Sequence, residues 1–424
     1  MAGVIRRAAI LAVGSELLTP TRIDTNSLII TEQLERLGVE VVYKGVVGDD
    51  RRELAAAIRA ALERADLLVC CGGLGPTDDD VTREAVADVL GREFAEDGRI
   101  VAQIEARFAA RRMHMPAINR RQAMVPSGAR VIDNLHGTAP GLWLEEGGRS
   151  VLLLPGPPRE LKAMLAWSVE QLLQPRSPGL SLVRRVIRIT GRTESQTEET
   201  VQPLYARWAR QAIPVSATIL ASLGQIELHV SARAESREQA QSTVATAARE
   251  VAEVLGLDAY SVDDHPLERV VGERLLERGF RIAVAESCTG GLLASRLTDV
   301  PGSSRYVDRA VVAYANQAKV SLLGVSASMI AAEGAVSEPV ALAMAEGIRT
   351  GAGVDVGVGV TGIAGPDGGS IEKPVGTVAI AVVVPGEARS KTFHFAGDRE
   401  QVKFQASQAA LDMVRRMLMP RPPD

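Results

Sequence analysis

The sequence contains little cysteine, histidine or aromatic residue. Three cysteines and five histidines occur among 424 residues, and Phe, Trp and Tyr together make up 3%. Cys70 and Cys71 are adjacent and Cys288 lies far from both, so the spacing matches neither a disulfide framework nor a paired zinc site. This usage fits a reducing cytoplasm. The scarcity of aromatic side chains also leaves few stacking surfaces for single-stranded nucleic acid.

Strong net charge and long apolar runs are missing as well. There are 48 Lys and Arg against 52 Asp and Glu, a net charge of −4, so no general attraction to nucleic acid or to an anionic membrane is predicted. No apolar run reaches the roughly 20 residues of a transmembrane helix. The short apolar run near the N-terminus favours a first strand over a secretion signal. We expect a cytoplasmic protein that binds neither nucleic acid nor membrane.

The length predicts more than one domain, because a chain of 424 residues exceeds an ordinary single core. A proline- and glycine-rich segment at 174–179 and an acidic one ending in proline at 263–266 mark the boundaries. We predict domains at 1–173, 180–258 and 262–420. The first alternates buried strands and helices as a doubly wound α/β sheet does, the small middle domain is α+β with the order strand, helix, strand, helix, and the last is α/β.

Two loops of the first domain form one candidate site. Apolar strands at 8–13 and 67–71 end in the loops 14–16 and 72–77. In doubly wound sheets, ligands bind beyond the carboxyl ends of the strands. We therefore expect the two loops to lie side by side around a ligand.

The second of these loops suggests a phosphate ligand. Its glycines allow close approach of the backbone, and a helix start at Thr82 adds amide donors. The aspartates at 78–80 would repel a phosphate unless magnesium or manganese lies between them. A glycine turn with acidic helix-capping residues explains the pattern equally well, and the spacing is neither that of a Walker loop nor that of a Rossmann loop.

The most distinctive stretch runs from 283 to 319. A short apolar strand ends in a turn, 286–291, rich in small hydroxyl and thiol side chains, and a helix is predicted to begin there. Helix starts stabilise a developing oxyanion, so Ser287 is a candidate nucleophile. With almost no histidine nearby, Lys319 is the candidate base, which requires burial or a nearby positive charge to keep its amine neutral. The apolar strand 310–313 leads towards it.

Simpler explanations compete with each of these assignments. Ser287 could be an ordinary N-cap, and Lys319 could be a solvated surface lysine. Cys288 is a rival nucleophile, because a thiol beside a helix N-terminus can be activated.

The order of motifs in this part of the chain resembles the C-terminal domain of the competence/damage-inducible protein CinA family. The motifs are AESCTGG (285–291), GSS (302–304), a Tyr-Asn-Lys run (314–319), GAVSE (334–338), TGIAGPDGG (361–369), KPVGT (373–377) and GDR (397–399). This resemblance implies a deamidase of nicotinamide mononucleotide (NMN). It implies amide hydrolysis through an acyl-enzyme, without metal or other cofactor.

The same resemblance implies roles for individual residues. Ser287 would attack the carboxamide carbon and Lys319 would take its proton, while Ser304 and Tyr314 would relay the proton or orient the lysine. Backbone N–H groups from Thr289 to Gly291 would hold the oxyanion. The implied substrate-binding residues are Thr289, Gly290, Gly291, Thr361, Gly362, Gly365 and Arg399, the last pairing with a phosphate.

The first domain resembles the molybdopterin-binding-like domain of the same family. The resemblance rests on GSELL (14–18), GGLGPTDDDVTREA (72–85) and LPGPPRE (154–160). It implies an ADP-ribose pyrophosphatase that needs magnesium, manganese or cobalt. The implied substrate contacts are Glu16, Asn26, Gly73, Thr82 and Gly156, with His136 and Thr138 as further contacts, and the implied metal ligands are Asp24, Asp49 and Asp80.

The middle domain resembles the KH-type domain of this family but lacks the GXXG loop of an RNA-binding KH domain. We therefore expect a spacer or a dimerisation element, within a homodimer. Three alternatives stay open: a protein with only one active site, a molybdopterin-related enzyme, and a non-catalytic partner in DNA uptake or recombination.

Overall fold

The structure of the chain is a computed structural model that describes residues 3–222 and 224–419. The outermost residues of the predicted first and last domains, 1–2 and 420, lie outside this range. The chain divides into two compact units, Met1–Val183 with Arg233–Gln241, and Arg184–Ala232 with Ser242–Asp424. None of the described helices combines the length and the apolar character needed to cross a bilayer.

The first unit is built on a six-stranded sheet with the order β2-β1-β3-β8-β7-β6. Strands β1, β2, β3 and β8 are parallel, whereas β6 and β7 are antiparallel additions at one edge. A separate two-stranded ladder joins β4 and β5. The strands are β1 (Arg7–Val13), β2 (Glu40–Val47), β3 (Leu67–Cys71), β4 (Phe94–Glu96), β5 (Met124–Pro126), β6 (Arg130–Ile132), β7 (Gly141–Glu146) and β8 (Arg149–Leu154).

Helices cover both faces of this sheet. They are α1 (Asn26–Arg36), α2 (Arg51–Arg64), α3 (Thr82–Leu90), α4 (Gly98–Ala110) and α5 (Pro158–Ser168). One core cluster packs α2, α3 and α4 on one face, and another packs α1 and α5 on the other. Strand β3 is buried on both faces, which explains its continuously apolar sequence. The helices on both faces of the sheet confirm the predicted doubly wound fold.

The middle segment forms a four-stranded sheet with the order β10-β11-β9-β12. Its elements are β9 (Ser181–Ile189), α6 (Glu194–Trp208), β10 (Val215–Ser222), β11 (Gln225–Ala234), α7 (Arg237–Leu255) and β12 (Ala259–Ser261). The prediction of strand, helix, strand, helix missed β10 and β12. β10 is mostly exposed, so it lacks a strong apolar pattern, and its strand conformation depends on pairing with β11.

The C-terminal segment contains a five-stranded sheet with the order β14-β13-β15-β16-β17. Strands β14, β13 and β15 are parallel, and β16 and β17 are antiparallel. The strands are β13 (Ile282–Glu286), β14 (Val307–Val312), β15 (Val356–Gly362), β16 (Thr377–Val384) and β17 (Glu387–His394). The helices are α8 (Leu267–Arg278), α9 (Leu292–Thr298), α10 (Asn316–Leu323), α11 (Ala327–Glu333), α12 (Glu338–Ala352) and α13 (Arg399–Met417).

Alternate glycines in β15 let α12 lie close to the sheet, as the sequence predicted. A Cβ added at Gly357 would lie 2.2 Å from the carbonyl oxygen of Ala345, and one at Gly359 would lie 2.1 Å from that of Ala341. Any side chain there would force α12 away. This packing places the carboxyl ends of the three parallel strands at one edge, where Ser287, Tyr314 and Thr361 follow or end them.

Candidate active sites

The structure brings Ser287 and Lys319 together. Ser287 follows central strand β13, and its backbone N–H donates to the carbonyl of Val360 on β15 (2.9 Å). Lys319 lies in α10, not directly after a strand, and its Nζ is 3.1 Å from Ser287 Oγ. Ser287 is 8% exposed and Lys319 is 2% exposed. The expected burial of the lysine is therefore present, and it is not a solvated surface residue.

The surroundings of Lys319 suit both of its protonation states. Nζ also donates to the carbonyl oxygens of Ala313 (3.2 Å) and Tyr314 (3.4 Å). As ammonium it has three acceptors, and as a neutral amine it can keep both carbonyls while its lone pair accepts the serine proton. Burial lowers the pKa of Lys319 below the ordinary lysine value of 10.5, with a small opposing effect from Cys288.

The rival explanations fit the geometry less well. Helix α9 begins at Leu292, five residues after Ser287, and its N-cap is Gly291. Ser287 therefore does not cap it. Cys288 is 5% exposed, and burial raises the pKa of its thiol to about 12, so almost none of it is thiolate near neutral pH.

The backbone amides expected to hold the oxyanion are partly occupied. The Gly290 N–H donates to the carbonyl of Ser287 (3.1 Å), and the Gly291 N–H donates to the carboxylate of Glu286 (3.0 Å). The N–H groups of Cys288 and Thr289 instead face the Cys288 sulfur, where they partly oppose the rise in its pKa that burial causes. The assignment of the oxyanion to the amides of Thr289 to Gly291 stays a prediction, and in this structure the amides of Gly290 and Gly291 already have oxygen acceptors.

Glu286 is a residue that the sequence analysis overlooked. It ends β13, it is fully buried, and its carboxylate also accepts from the N–H groups of Leu293 and Ala294. Its position directly before the candidate nucleophile was the only available signal.

Ser304 does not reach the nucleophile. Strands β13 and β14 are parallel, with Ile282 opposite Val307 and Glu286 opposite Val312. Ser304 precedes the amino end of β14, whereas Ser287 follows the carboxyl end of β13. Its expected role as a proton relay stays a prediction, which this register does not favour within one chain.

Tyr314 and Arg399 join into one arrangement beside Lys319. The Tyr314 carbonyl accepts from the lysine, and its hydroxyl accepts from Arg399 Nη2 (2.7 Å). Arg399 Nη1 donates to the carbonyl of Gly365 (2.6 Å). Tyr314 thus orients the lysine through its backbone. Arg399 begins α13 and is exposed, so it can meet an anionic ligand.

The other predicted contacts of this domain differ in accessibility. Thr361 is buried, and its hydroxyl donates to the carbonyl of Ala335 (2.8 Å). Gly362 ends β15 beside it. The hydroxyl of Thr289 is buried without a partner among the described residues. Thr289 therefore has a buried hydroxyl available to a ligand beside the turn that carries Ser287.

A large cavity of the second unit lies away from this pair. It measures about 750 Å³ and lies between the middle and C-terminal segments, with Arg192, Phe393 and Gln408 among its lining residues. Its lining includes neither Ser287 nor Lys319. The assignment of the second unit's site therefore depends on the contacts of this pair and not on cavity size.

The first unit contains a second candidate site, a cavity of about 400 Å³. As predicted, the two glycine loops meet there. The lining includes Glu16, Asp49, Gly73, Asp80, Thr138 and Gly156. Glycine residues and several carboxylates surround the cavity. This combination suits a diphosphate bound together with a divalent cation.

Several predicted contacts are used to build this cavity. Asp80 accepts from the N–H groups of Gly75 (2.7 Å) and Thr77 (2.9 Å). The Thr82 hydroxyl is fully buried and donates to the carbonyl of Gly72 (2.9 Å). A Cβ on Gly73, whose φ is +64°, would lie 2.2 Å from that hydroxyl. These groups therefore support the loop, and Thr82 does not face a ligand.

Arg83 also supports the loop and was missed by the sequence analysis. Its guanidinium donates to the carbonyls of Leu74 (2.5 Å) and Gly75 (3.0 Å). It is 1% exposed, and burial lowers its pKa. An arginine on a helix ordinarily suggests a surface, so nothing in the sequence identified it.

The three predicted metal ligands do not form one cluster. Asp49 lines the cavity and accepts from the N–H of Ser15 (2.8 Å). Asp24 lies outside the lining and accepts from the N–H and the hydroxyl of Ser27. Across residues 3–222 and 224–419, no group of three or more His, Cys, Asp or Glu side chains is arranged to hold a metal ion. Among the lining carboxylates, Glu16 and Asp49 offer hard oxygen ligands of the kind that a divalent cation takes.

Asn26 and Gly156 form a hydrogen bond with each other at the edge of this cavity. Asn26 Nδ2 donates to the carbonyl of Gly156 (2.7 Å), which fixes the start of α1 against the loop after β8. The Asn26 Oδ1 atom is buried without a partner among the described residues. Of the predicted contacts His136 and Thr138, Thr138 lines both this cavity and a neighbouring one, whereas His136 lines the neighbouring one.

Three family models match successive parts of the chain. They are "Probable molybdopterin binding domain" at residues 9–175, "Damage-inducible protein CinA KH domain" at 184–261 and "CinA C-terminal domain" at 264–418. Whole-length relatives agree with them. A CinA-like protein of Koribacter versatilis is 47% identical over 416 residues, covering 97% of this chain and all of that protein. The chain belongs to the CinA family.

Further proteins of the CinA family match either the whole chain or a part of it. A CinA-like protein of Acidobacterium capsulatum is 46% identical over 97% of this chain and its own full length. A crystal structure of competence/damage inducible protein CihA from Agrobacterium tumefaciens is 40% identical and covers 36% of this chain and 93% of its own, with a TM-score of 0.35. The predicted family and its three-domain architecture are confirmed.

Proposed function

We propose that the C-terminal domain is a nicotinamide-nucleotide amidase that hydrolyses NMN to nicotinate mononucleotide and ammonia. One observation carries this proposal: a buried lysine amine 3.1 Å from a serine hydroxyl, held by two backbone carbonyls. Such a pair activates a serine for attack on a carbonyl carbon. The substrate itself comes from the resemblance to the CinA family described above.

In the first half of the reaction, the serine adds to the substrate. Neutral Lys319 takes the proton of Ser287 while Oγ forms a bond to the carboxamide carbon. The carbonyl π electrons move to oxygen, and the amides of Cys288 and Thr289 stabilise this oxyanion in place of their weak contact with the Cys288 sulfur. Lys319 then gives its proton to the amide nitrogen, the C–N bond breaks, and ammonia leaves an acyl-enzyme.

In the second half, water replaces ammonia. Lys319, neutral again, takes a proton from water as the water oxygen attacks the acyl carbon. Collapse of this intermediate returns the proton to Ser287 and releases nicotinate mononucleotide. No metal or other cofactor takes part in these steps.

The charge of NMN supports the use of lysine as a base. Its pyridinium ring is positively charged and is attached directly to the carboxamide. The ring withdraws electrons from the carbonyl carbon, and its charge further disfavours a nearby ammonium. Binding would therefore act on Lys319 in the same direction as burial. Arg399, at the exposed start of α13, is placed to pair with the phosphate.

Ammonia release from NMN without added metal tests the proposal. The native chain is compared with Ser287→Ala, Lys319→Ala and Cys288→Ala. We expect loss of release with the first two substitutions and a change of less than about threefold with the third, because the buried thiol takes no part. A native chain that releases no ammonia, or an inactive Cys288→Ala variant of native stability, would remove this assignment.

As a second function, we propose metal-dependent hydrolysis of ADP-ribose in the first unit. The supporting observation is the 400 Å³ cavity in which a glycine backbone lies beside carboxylates. Glu16 and Asp49 would hold the magnesium, manganese or cobalt ion together with the diphosphate oxygens. The ion supplies charge neutralisation for the diphosphate when bound, and the glycine loop positions the phosphates.

Calorimetry separates this function from the alternatives. ADP-ribose with magnesium is expected to bind and to be hydrolysed, whereas a molybdopterin-related enzyme would bind the pterin instead. A non-catalytic partner in DNA uptake would show no turnover of either nucleotide. We also propose a cytoplasmic homodimer without nucleic-acid or membrane partners, which light scattering and fractionation can test.

A further inference from the structure

Glu286 is a buried carboxylate bound by backbone amides alone. It is 0% exposed. Oε2 accepts from the N–H groups of Gly291 (3.0 Å) and Leu293 (3.1 Å), and Oε1 accepts from that of Ala294 (2.8 Å). Among the residues that the structure describes, no lysine, arginine or histidine forms an ion pair with it. Burying a carboxylate is costly unless its oxygens are satisfied, and here three amides satisfy them.

These donors are the amides that a helix start leaves unpaired. The remaining amide of the first turn, that of Leu292, donates to the carbonyl of Thr289 (3.3 Å). Every amide at the start of α9 is therefore used inside the protein. An oxyanion or an anionic part of a substrate finds no free donor there.

The main chain of Glu286 is fixed as firmly as its side chain. Its carbonyl accepts from the N–H of Ala313 (2.8 Å), and the next amide, of Ser287, donates to Val360 (2.9 Å). Both neighbouring strands thus hold the beginning of the turn 287–291, and the carboxylate holds its end. The two amides between these anchors, of Cys288 and Thr289, interact with the Cys288 sulfur, which is a weak acceptor that an oxyanion can replace.

We propose that Glu286 is a positioning residue for the serine reaction. By binding the end of the turn, it directs the Cys288 and Thr289 amides towards the developing oxyanion and closes the helix start to anions. The substrate involved depends on the proposed amidase function, but the positioning of the turn can be measured without it.

Two substitutions separate geometry from charge. In Glu286→Gln the size is retained, but an NH₂ group replaces one acceptor oxygen and faces backbone donors. The turn must shift, and we expect kcat to fall about 100-fold with KM changed less than threefold, as when one oxyanion donor is lost. Glu286→Asp keeps the charge but is one methylene shorter, so its kcat is expected between those of the native chain and Glu286→Gln.

The experiment uses the full chain and a fluorophosphonate probe. Ser287 Oγ attacks phosphorus, fluoride leaves, and the serine proton passes to Lys319, so the labelling rate reports on serine and amides without NMN. We measure this rate, kcat and KM per labelled site, and melting temperature. The matched control is Asp355→Asn, because the Asp355 carboxylate accepts the N–H of Arg281 (2.9 Å) at the other end of β13. It should label and turn over at the native rate.

The proposal is supported if Glu286→Gln labels about 100-fold more slowly while the control is unchanged. It is overturned if Glu286→Gln melts earlier but labels and turns over at the native rate per site, since the carboxylate would then only stabilise the fold. If Glu286→Gln does not fold, the labelling rate of Glu286→Asp decides in the same way. A native chain that labels at Ser287 but releases no ammonia would contradict the amidase function alone.

Discussion

The two candidate sites of this chain differ in how exposed their functional side chains are. In the C-terminal domain, Ser287 and Lys319 are almost completely buried and contact each other. In the first unit, Glu16 is exposed and Asp49 is half-buried around an open cavity. Under the proposed functions, Lys319 must lose its proton and is helped by burial, whereas Glu16 and Asp49 would have to stay reachable for a cation and a nucleotide. The burial of a site thus follows from the protonation state that its chemistry requires.

Lys319→Arg tests this difference with the largest expected effect. Arginine keeps a positive charge but does not become a neutral base in proteins. We expect ammonia release to fall at least about 1,000-fold, as far as in Lys319→Ala, with ADP-ribose hydrolysis by the same sample unchanged. An arginine variant that keeps a tenth of native activity would show that the lysine acts through its charge.

The pH dependence of the two activities sharpens the comparison. The lowered pKa of Lys319 means that the neutral amine appears as pH rises through a value below 10.5. Ammonia release, measured as kcat/KM, should increase about tenfold per pH unit below that pKa and level off above it. ADP-ribose hydrolysis does not use this lysine, so it should lack a limb set by the pKa of Lys319. A limb centred at an ordinary lysine value would contradict the role of burial.

Glu16→Gln tests the open site. Its carboxylate lines the cavity, and removing the charge should weaken attraction to a metal-bound diphosphate. We expect about tenfold weaker binding of magnesium ADP-ribose, near 1.4 kcal/mol, measured by calorimetry, with ammonia release unaffected. The matched control is Glu32→Gln, an exposed carboxylate on α1 paired with Arg36. Equal effects of both substitutions would mean that general surface charge is responsible.

Ser304→Ala has the smallest expected effect. The register of β13 and β14 places Ser304 at the far end of the sheet, so we expect ammonia release within threefold of native. Ser295→Ala, an exposed serine on α9, provides the comparison. A large loss of ammonia release in Ser304→Ala, but not in Ser295→Ala, would contradict this expectation. It would indicate that Ser304 contributes to the active site of a second copy of the chain.

Strong periodic patterns made the fold predictable. Strand β3 is buried on both faces and its bounds, Leu67–Cys71, are those predicted. Helix α3 begins at Thr82 as expected. Strand β10 was missed because most of it is exposed, and its conformation depends on a partner strand rather than on its own residues.

The candidate sites were predictable only in part. Ser287 and Lys319 were found because few other residues near the turn could serve as nucleophile and base. Glu286 was missed because its function comes from amides of residues 291–294, which a sequence does not display. Arg83 was missed for a related reason, since its burial and its carbonyl partners are properties of the folded loop.

Trapping the covalent intermediate tests the central claim most directly. The native chain is mixed with NMN, quenched with acid within one turnover, digested and analysed by mass spectrometry. The account predicts a nicotinoyl mononucleotide ester on Ser287, absent from Ser287→Ala and unchanged in Cys288→Ala. An adduct on Cys288, or ammonia release at the full rate by Ser287→Ala, would contradict a serine activated by a buried lysine.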